Sequence, residues 1–273
     1  MVPSLSIEGL SVFYGRRPII DTLTLPPVVG GGVTALIGPN AAGKTTLLRA
    51  LAGLVPAKGS VRLGHAALTG PTAPIVHPIE LTALPISQHA RHVTYMPQAL
   101  PQRVALTVFE ATLSALMSAR SDVVLSQAKA QARALAVLER LGILDLSRRG
   151  LDELSGGQRQ LASLAQSLVR EPTVLLLDEP TSALDIHHQM RVMQRVAELA
   201  RERSIIVVIV LHDIAQAARY AQRIVVLEQG LVAADGPPEQ AITPAMLARV
   251  YKVEARVEPC SQGFLQVIVD RAV

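Results

Sequence analysis

Apolar residues fall along this chain in short, dense runs separated by polar punctuation. Val33–Ile37, Val174–Leu177 and Ile205–Leu211 are such runs. Apolar on both faces and too short for helices, they predict strands buried inside a parallel sheet. Leu5–Leu10 alternates apolar and polar positions, the pattern of a strand with one buried face. Elsewhere the period is helical. Ser126–Leu141 is rich in Ala, Gln, Arg and Leu, places Leu135, Leu138 and Leu141 on one face, and stops at Gly142. Helix formers over Leu47–Ala52 end at Gly53. The pattern further predicts helices at Gly157–Val169, Ile186–Arg201 and Ile214–Ala221, and a strand at Arg223–Glu228. Strands alternating with helices predict an α/β fold whose sheet is largely parallel. Phe13-Tyr14-Gly15 reads as a turn, and Pro26-Pro27 with Gly30–Gly32 as a loop. The proline-rich stretch 64–90 reads as a loop-rich insertion. Val250–Val273 reads as short strands with turns at Pro259 and Gly263.

Length and composition narrow the class. A chain of 273 residues makes one large domain or two small ones. Hydrophobic residues are 49% and the mean hydropathy is +0.34. Yet no run approaches the roughly 18 apolar residues that span a bilayer. The opening MVPSLSIEGL has no basic region followed by an apolar core, so no signal peptide is expected. A single cysteine, Cys260, excludes an internal disulfide and a cysteine-based metal cage. The expectation is a cytoplasmic protein that keeps an apolar surface for a partner. Net charge is +4, but lysines and arginines are dispersed rather than clustered, and no nucleic-acid partner is expected.

The chemistry begins where the strand Val33–Ile37 ends. Residues 38–46 read GPNAAGKTT: Gly38, Pro39, Asn40, Ala41, Ala42, Gly43, Lys44, Thr45, Thr46. Glycines separated by four residues and followed by Lys and Thr form a phosphate loop. Glycine lets backbone N–H groups turn inward around an anion, and the following helix points its positive end at it. Lys44 would neutralise terminal phosphates, and Thr45 would give its hydroxyl to magnesium. A second element is Val174-Leu175-Leu176-Leu177-Asp178-Glu179. Its two carboxylates emerge at the C-terminal end of a buried strand, where α/β sheets bind ligands. Asp178 would hold the metal through water, and Glu179 would orient the attacking water or take its proton.

Between these two lies Leu154-Ser155-Gly156-Gly157-Gln158. With LSGGQ followed closely by LLLDEP, the chain resembles the nucleotide-binding subunits of ABC transporters over nearly its full length. The resemblance implies a RecA-like P-loop NTPase core with an antiparallel β subdomain over 1–98 and 160–273, and an inserted helical subdomain over 99–159. It implies ATP and Mg²⁺ as ligands. It assigns Tyr14 to stacking on the adenine, and Gln98 to the metal and attacking water. It assigns His212 to the γ-phosphate, and Ser182–Asp185 to the loop that crosses to a partner. It also implies a head-to-tail dimer, in which each ATP lies between the phosphate loop of one copy and Ser155, Gly156, Gly157 and Gln158 of the other. Integral membrane permease subunits, and indirectly a solute-binding protein, complete such a system at the cytoplasmic face of the cell membrane.

The C-terminal third, from LDIHHQ through HDIAQAARYAQRIVVLEQGLVAADGPPEQAITPAMLARVYKV, resembles the branch that imports ferric siderophores, haem and cobalamin. Another metal or nutrient importer, and an ABC ATPase serving nucleic acid or the ribosome, are the alternatives. A small-molecule P-loop kinase is a further one, but LSGGQ has no role there. Two features depart from the family pattern. Ala41 stands where glycine is usual, and a left-handed alanine would cost about 1 kcal/mol. Lys44 and Gln98 are 54 residues apart, a longer spacing than usual. The added length, in the proline-rich 64–90 stretch, carries His65, His77 and His89, with His92 just beyond. Their spacing matches no short metal motif, so a solvated loop is expected rather than a metal sensor. His187 and His188 are expected on a helix surface.

Overall fold

In the computed structural model the described residues are 1–66, 76–98, 105–118 and 125–273. The chain opens with β1 (Val2–Tyr14), β2 (Arg17–Val29) and β3 (Val33–Ile37), then α1 (Lys44–Leu51), β4 (Ala57–Ala66), β5 (Val76–Glu80), α2 (Ile86–His92) and β6 (Val93–Met96). Three helices follow: α3 (Val108–Ser118), α4 (Gln127–Arg140) and α5 (Gly156–Leu168). Then come β7 (Val174–Asp178), α6 (Ile186–Arg203), β8 (Ile206–Val210), α7 (Ile214–Tyr220), β9 (Arg223–Glu228) and β10 (Leu231–Gly236). The hairpin of β11 (Val253–Pro259) and β12 (Leu265–Ala272) lies near the end.

The apolar runs build the central sheet, in the order β10-β9-β3-β8-β7-β6. Only β10 is antiparallel to its neighbour; β9, β3, β8, β7 and β6 pair in parallel. Every residue of β3, β7 and β8 is buried, which explains why these strands carry no alternation. A fully buried Leu or Val side chain stabilises the fold by roughly 1.5–3 kcal/mol, and the two faces of this sheet anchor separate core clusters. One holds Leu175, Leu177, Met193 and Val207; the other holds Leu47, Leu48, Leu176 and Val208.

A second sheet, β2-β1-β4-β5, is antiparallel and covers the α1 side. Here the structure corrects the sequence reading. Phe13 and Tyr14 end β1, and only Gly15-Arg16 turns. Pro26 and Pro27 lie inside β2 rather than in a loop. They are tolerated because β2 is an edge strand and its register with β1 shifts between Leu5 and Ile7, so neither proline has a paired partner there. The stretch read as a loop-rich insertion contains the end of β4, all of β5 and most of α2; its residues 67–75 lie outside the described residues.

Helices α3, α4 and α5 pack on one another. Val108, Leu138, Leu141, Leu154 and Leu161 join them to the core, while Leu116, Ala130 and Val169 form a smaller cluster. Residues 99–104 and 119–124, inside the span expected to be helical, lie outside the described residues. No helix among the described residues is long and apolar enough to cross a membrane.

Candidate functional site

Four adjacent parallel strands deliver their C-terminal ends to one edge of the sheet. The loop after β3 holds residues 38–43, β8 leads to His212, β7 ends in Asp178 and Glu179, and β6 leads to Gln98. Tyr14, Asn40–Thr46, Gln98, Glu179 and His212 line one cleft of about 610 Å³ at this edge.

The phosphate loop is shaped by its backbone. Gly38 has φ +146, and a Cβ there would lie 2.1 Å from the carbonyl oxygen of Leu227. Gly43 has φ +100 and directly precedes α1. Helix α1 begins with no side-chain cap and no acidic residue in its first turn, so its first N–H groups and positive end are left for an anion. Ala41 adopts φ +62, so the alanine that departs from the family pattern is in the left-handed region, at a cost of about 1 kcal/mol.

The charged groups are held in a connected network. Lys44 is buried, and its Nζ donates to the carbonyls of Gly38 and Pro39, both at 2.8 Å. Burial lowers its pKa from the ordinary lysine value, against the raising influence of Glu179 and Asp178. Asp178 is fully buried; its Oδ1 accepts the Thr45 hydroxyl at 3.1 Å and its Oδ2 the Tyr95 hydroxyl at 2.9 Å. Burial pushes the Tyr95 phenol up to about 12, which keeps it protonated as a donor. Glu179 sits between two partners: Gln98 Nε2 donates to Oε2 at 2.6 Å, and His212 Nε2 meets Oε1. Glu179 also carries a left-handed backbone, φ +52. The Thr45 hydroxyl, the Asp178 carboxylate and the Gln98 amide oxygen are hard oxygen donors of the kind that suits Mg²⁺. Among the described residues no group of three or more His, Cys, Asp or Glu is placed to hold a metal ion. His65, His77, His89 and His92 form no such centre.

Ser155, Gly156, Gly157, Gln158 and Asp185 do not line this cleft in the same chain. Ser155 caps α5, accepting the N–H of Gln158 at 3.3 Å while the Gln158 side chain accepts the N–H of Ser155. Gly157 packs tightly on the 183–184 segment; a Cβ there would lie 3.1 Å from the Ala183 carbonyl oxygen. Asp185 caps α6, accepting the N–H of His188 at 2.8 Å. His188 also pairs with Asp185 through its ring.

Two residues of the network escaped the motif reading. Tyr95 lies in the strand ahead of Gln98, and only its hydroxyl distinguishes it from core packing. Gln160 is 4% exposed, and its sole sequence signal is a polar side chain on the apolar face of α5.

A phosphate loop after a central parallel strand, with a carboxylate pair from a strand of the same sheet, defines a P-loop nucleoside triphosphatase. A family model described as ABC transporter matches residues 27–182. The chain is 36% identical over 273 residues to a hemin import ATP-binding protein of Rhodopseudomonas palustris, covering 95% of this chain and 92% of that one. It is 32% identical over 274 residues to the ferric enterobactin transport ATP-binding protein of Escherichia coli, covering 94% and 90%. Among solved structures it superimposes on the ADP conformation of the ATP-binding cassette MJ1267, with a TM-score of 0.75, 22% identity and coverage of 92% and 98%. It also superimposes on a dimeric structure of the bacterial cassette MJ0796, with a TM-score of 0.73, 24% identity and coverage of 86% and 98%. The chain belongs to the ABC transporter family. Its activity is the ATP hydrolysis that powers transport in that family.

Proposed function

We propose that this chain is the ATPase of an importer for an iron chelate or a similarly large metal complex: a ferric siderophore, haem or cobalamin. The observation that carries this reading is full-length similarity to hemin and ferric enterobactin import proteins, on a chain whose cleft is lined by Lys44, Thr45 and Glu179, with the buried Asp178 bonded to Thr45 behind them. It acts at the cytoplasmic face of the membrane, joined to separate permease subunits and served by a solute-binding protein. The core spans 1–98 and 160–273, with the helical subdomain at 99–159.

ATP enters the cleft with its phosphates in the 38–46 loop and its adenine on Tyr14, which is 49% exposed at the rim. Lys44 leaves its carbonyl partners for the β- and γ-phosphate oxygens. Thr45, Asp178 and Gln98 would hold Mg²⁺, which would supply charge neutralisation at the phosphate oxygens. Glu179 accepts a proton from the attacking water, and His212 sits beside the γ-phosphate position. A second copy completes the site with Ser155, Gly156, Gly157 and Gln158. Two features support this pairing: those residues lie outside the cleft of their own chain, and Ile186, beside Asp185, leaves 78% of its surface exposed.

The test is ATP-driven uptake of hemin, a ferric catecholate siderophore and cobalamin, each into proteoliposomes. These carry the chain reconstituted with a permease and a solute-binding protein of that importer type. Uptake of one of the three, lost in Glu179→Gln, is the expected result. Uptake of none, with export or uptake of an unrelated nutrient instead, overturns the cargo assignment. Salt-sensitive binding of DNA or RNA at low micromolar affinity would restore the nucleic-acid alternative.

A further inference from the structure

The left-handed backbone of Glu179 is held from outside its own loop. Its carbonyl oxygen accepts three hydrogen bonds: from Gln160 Nε2 at 2.7 Å, from Ser182 Oγ at 3.1 Å and from the Ser182 N–H at 3.3 Å. Ser182 belongs to the turn that follows Glu179. Gln160 comes from α5, and its bond is the shortest of the three. At the other end of the same amide, Oε1 accepts the Ala183 N–H at 3.1 Å. Both halves of a buried amide are thus satisfied by one loop. The partners also fix its orientation, because a carbonyl requires the NH₂ and an N–H requires the oxygen. A non-glycine residue in this backbone region persists only where its surroundings over-determine it: the Glu179 N–H donates to the Val210 carbonyl of β8 at 3.2 Å, and Gln160 holds the Glu179 carbonyl from helix α5. Helix α5 is the same helix whose first turn carries Ser155–Gln158.

We propose that Gln160 is a positioning residue for ATP hydrolysis. It sets the peptide of Glu179, and so aims the carboxylate between Gln98 and His212. It also ties the start of α5 to the loop that ends at Asp185. This rests on the reading of Glu179 as the group that takes the proton from water.

The experiment measures kcat and ATP affinity separately in the full chain carrying Gln160→Met or Gln160→Glu. Met keeps the length and loses both bonds. Glu keeps the acceptor for Ala183 and loses the donor to Glu179. Each is expected to lower kcat about tenfold while the ATP Kd stays within twofold. In a Glu179→Gln background, where no carboxylate remains to be aimed, Gln160→Met should lower the residual turnover less than twofold. A change in kcat below twofold in either single variant overturns the proposal. So does a loss confined to ATP affinity, or the same tenfold loss on top of Glu179→Gln. Should the Met variant fail to fold by urea titration, the Glu variant and Ser182→Ala decide. Ser182 is exposed and donates to the same carbonyl, and its variant must lower kcat without moving Kd. Wild-type turnover in Glu179→Gln alone would instead remove the base assignment, a failure distinct from that of Gln160.

Discussion

The hydroxyl of Thr45 donates to Oδ1 of Asp178 at 3.1 Å, joining the phosphate loop to the strand-end carboxylate across 133 residues of sequence. Asp178 ends β7, and Thr45 lies in the first turn of α1, after β3; β8 separates the two strands, so their meeting depends on the register of three strands. Under the proposed mechanism this hydroxyl and carboxylate would hold the metal of the nucleotide. The other carboxylate oxygen is tied to Tyr95, so Asp178 has one direction in which to face.

That second tie has a measurable consequence. Tyr95→Phe should leave ATP binding without magnesium unchanged, and raise the Mg²⁺ concentration needed for half-maximal tight binding threefold to tenfold. This is the equivalent of one hydrogen bond of roughly 0.5–1.5 kcal/mol. Titration of a fluorescent ATP analogue against Mg²⁺ reads it, and an unchanged Mg²⁺ requirement rejects the role.

Glu179→Gln should keep ATP affinity within a few fold and lower turnover by about 10²–10⁴, the usual contribution of a positioned general base. With ATP bound and not cleaved, light scattering should register a stable dimer. Turnover near the unmutated rate would sink the assignment of the base.

Ala41 holds a positive φ that glycine holds without strain. Ala41→Gly removes about 1 kcal/mol of strain and adds a smaller loss of backbone freedom. The net effect is expected to be a rise in thermal midpoint of about 1 °C for a chain of this size. Calorimetry showing a clear fall would place the strain elsewhere.

His89 is 3% exposed, packs its ring against Gly53 and has no partner at Nδ1. Burial, with nearby His92, holds its pKa below the ordinary value of 6.5. The unfolded chain therefore takes up a proton here before the folded one does. The contribution of this group to stability is complete above pH 6.5 and declines as the pH falls below it. Urea midpoints should drop between pH 7 and pH 5, and the drop should be smaller in His89→Phe. Parallel profiles for the two proteins would assign the pH dependence to other groups.

Much of this architecture was legible before any coordinates, because buried parallel strands need no alternation and short apolar runs reveal them. The loop at 38–46 and the carboxylates after Leu177 were readable for the same reason: each follows such a run. Strand β2 was hidden by Pro26 and Pro27, which argue against a strand everywhere except at an edge. Strand β10 escaped because Leu231–Gly236 is half-buried and short of β-branched residues. Tyr95 and Gln160 were unreadable for a different reason. Their value lies in a partner 83 and 19 residues away, and a sequence shows the donor without its acceptor.

The same prolines decide how a chain so rich in apolar residues behaves toward its neighbours. Pro18, Pro26 and Pro27 remove donors from β2, an edge strand of its sheet. The carbonyls of Pro26 and Pro27 are already engaged by the Arg223 guanidinium, at 3.0–3.1 Å. A stray strand arriving at that rim finds neither hydrogens to accept nor free oxygens to cap at those positions, so the sheet resists growing into a fibril from this side.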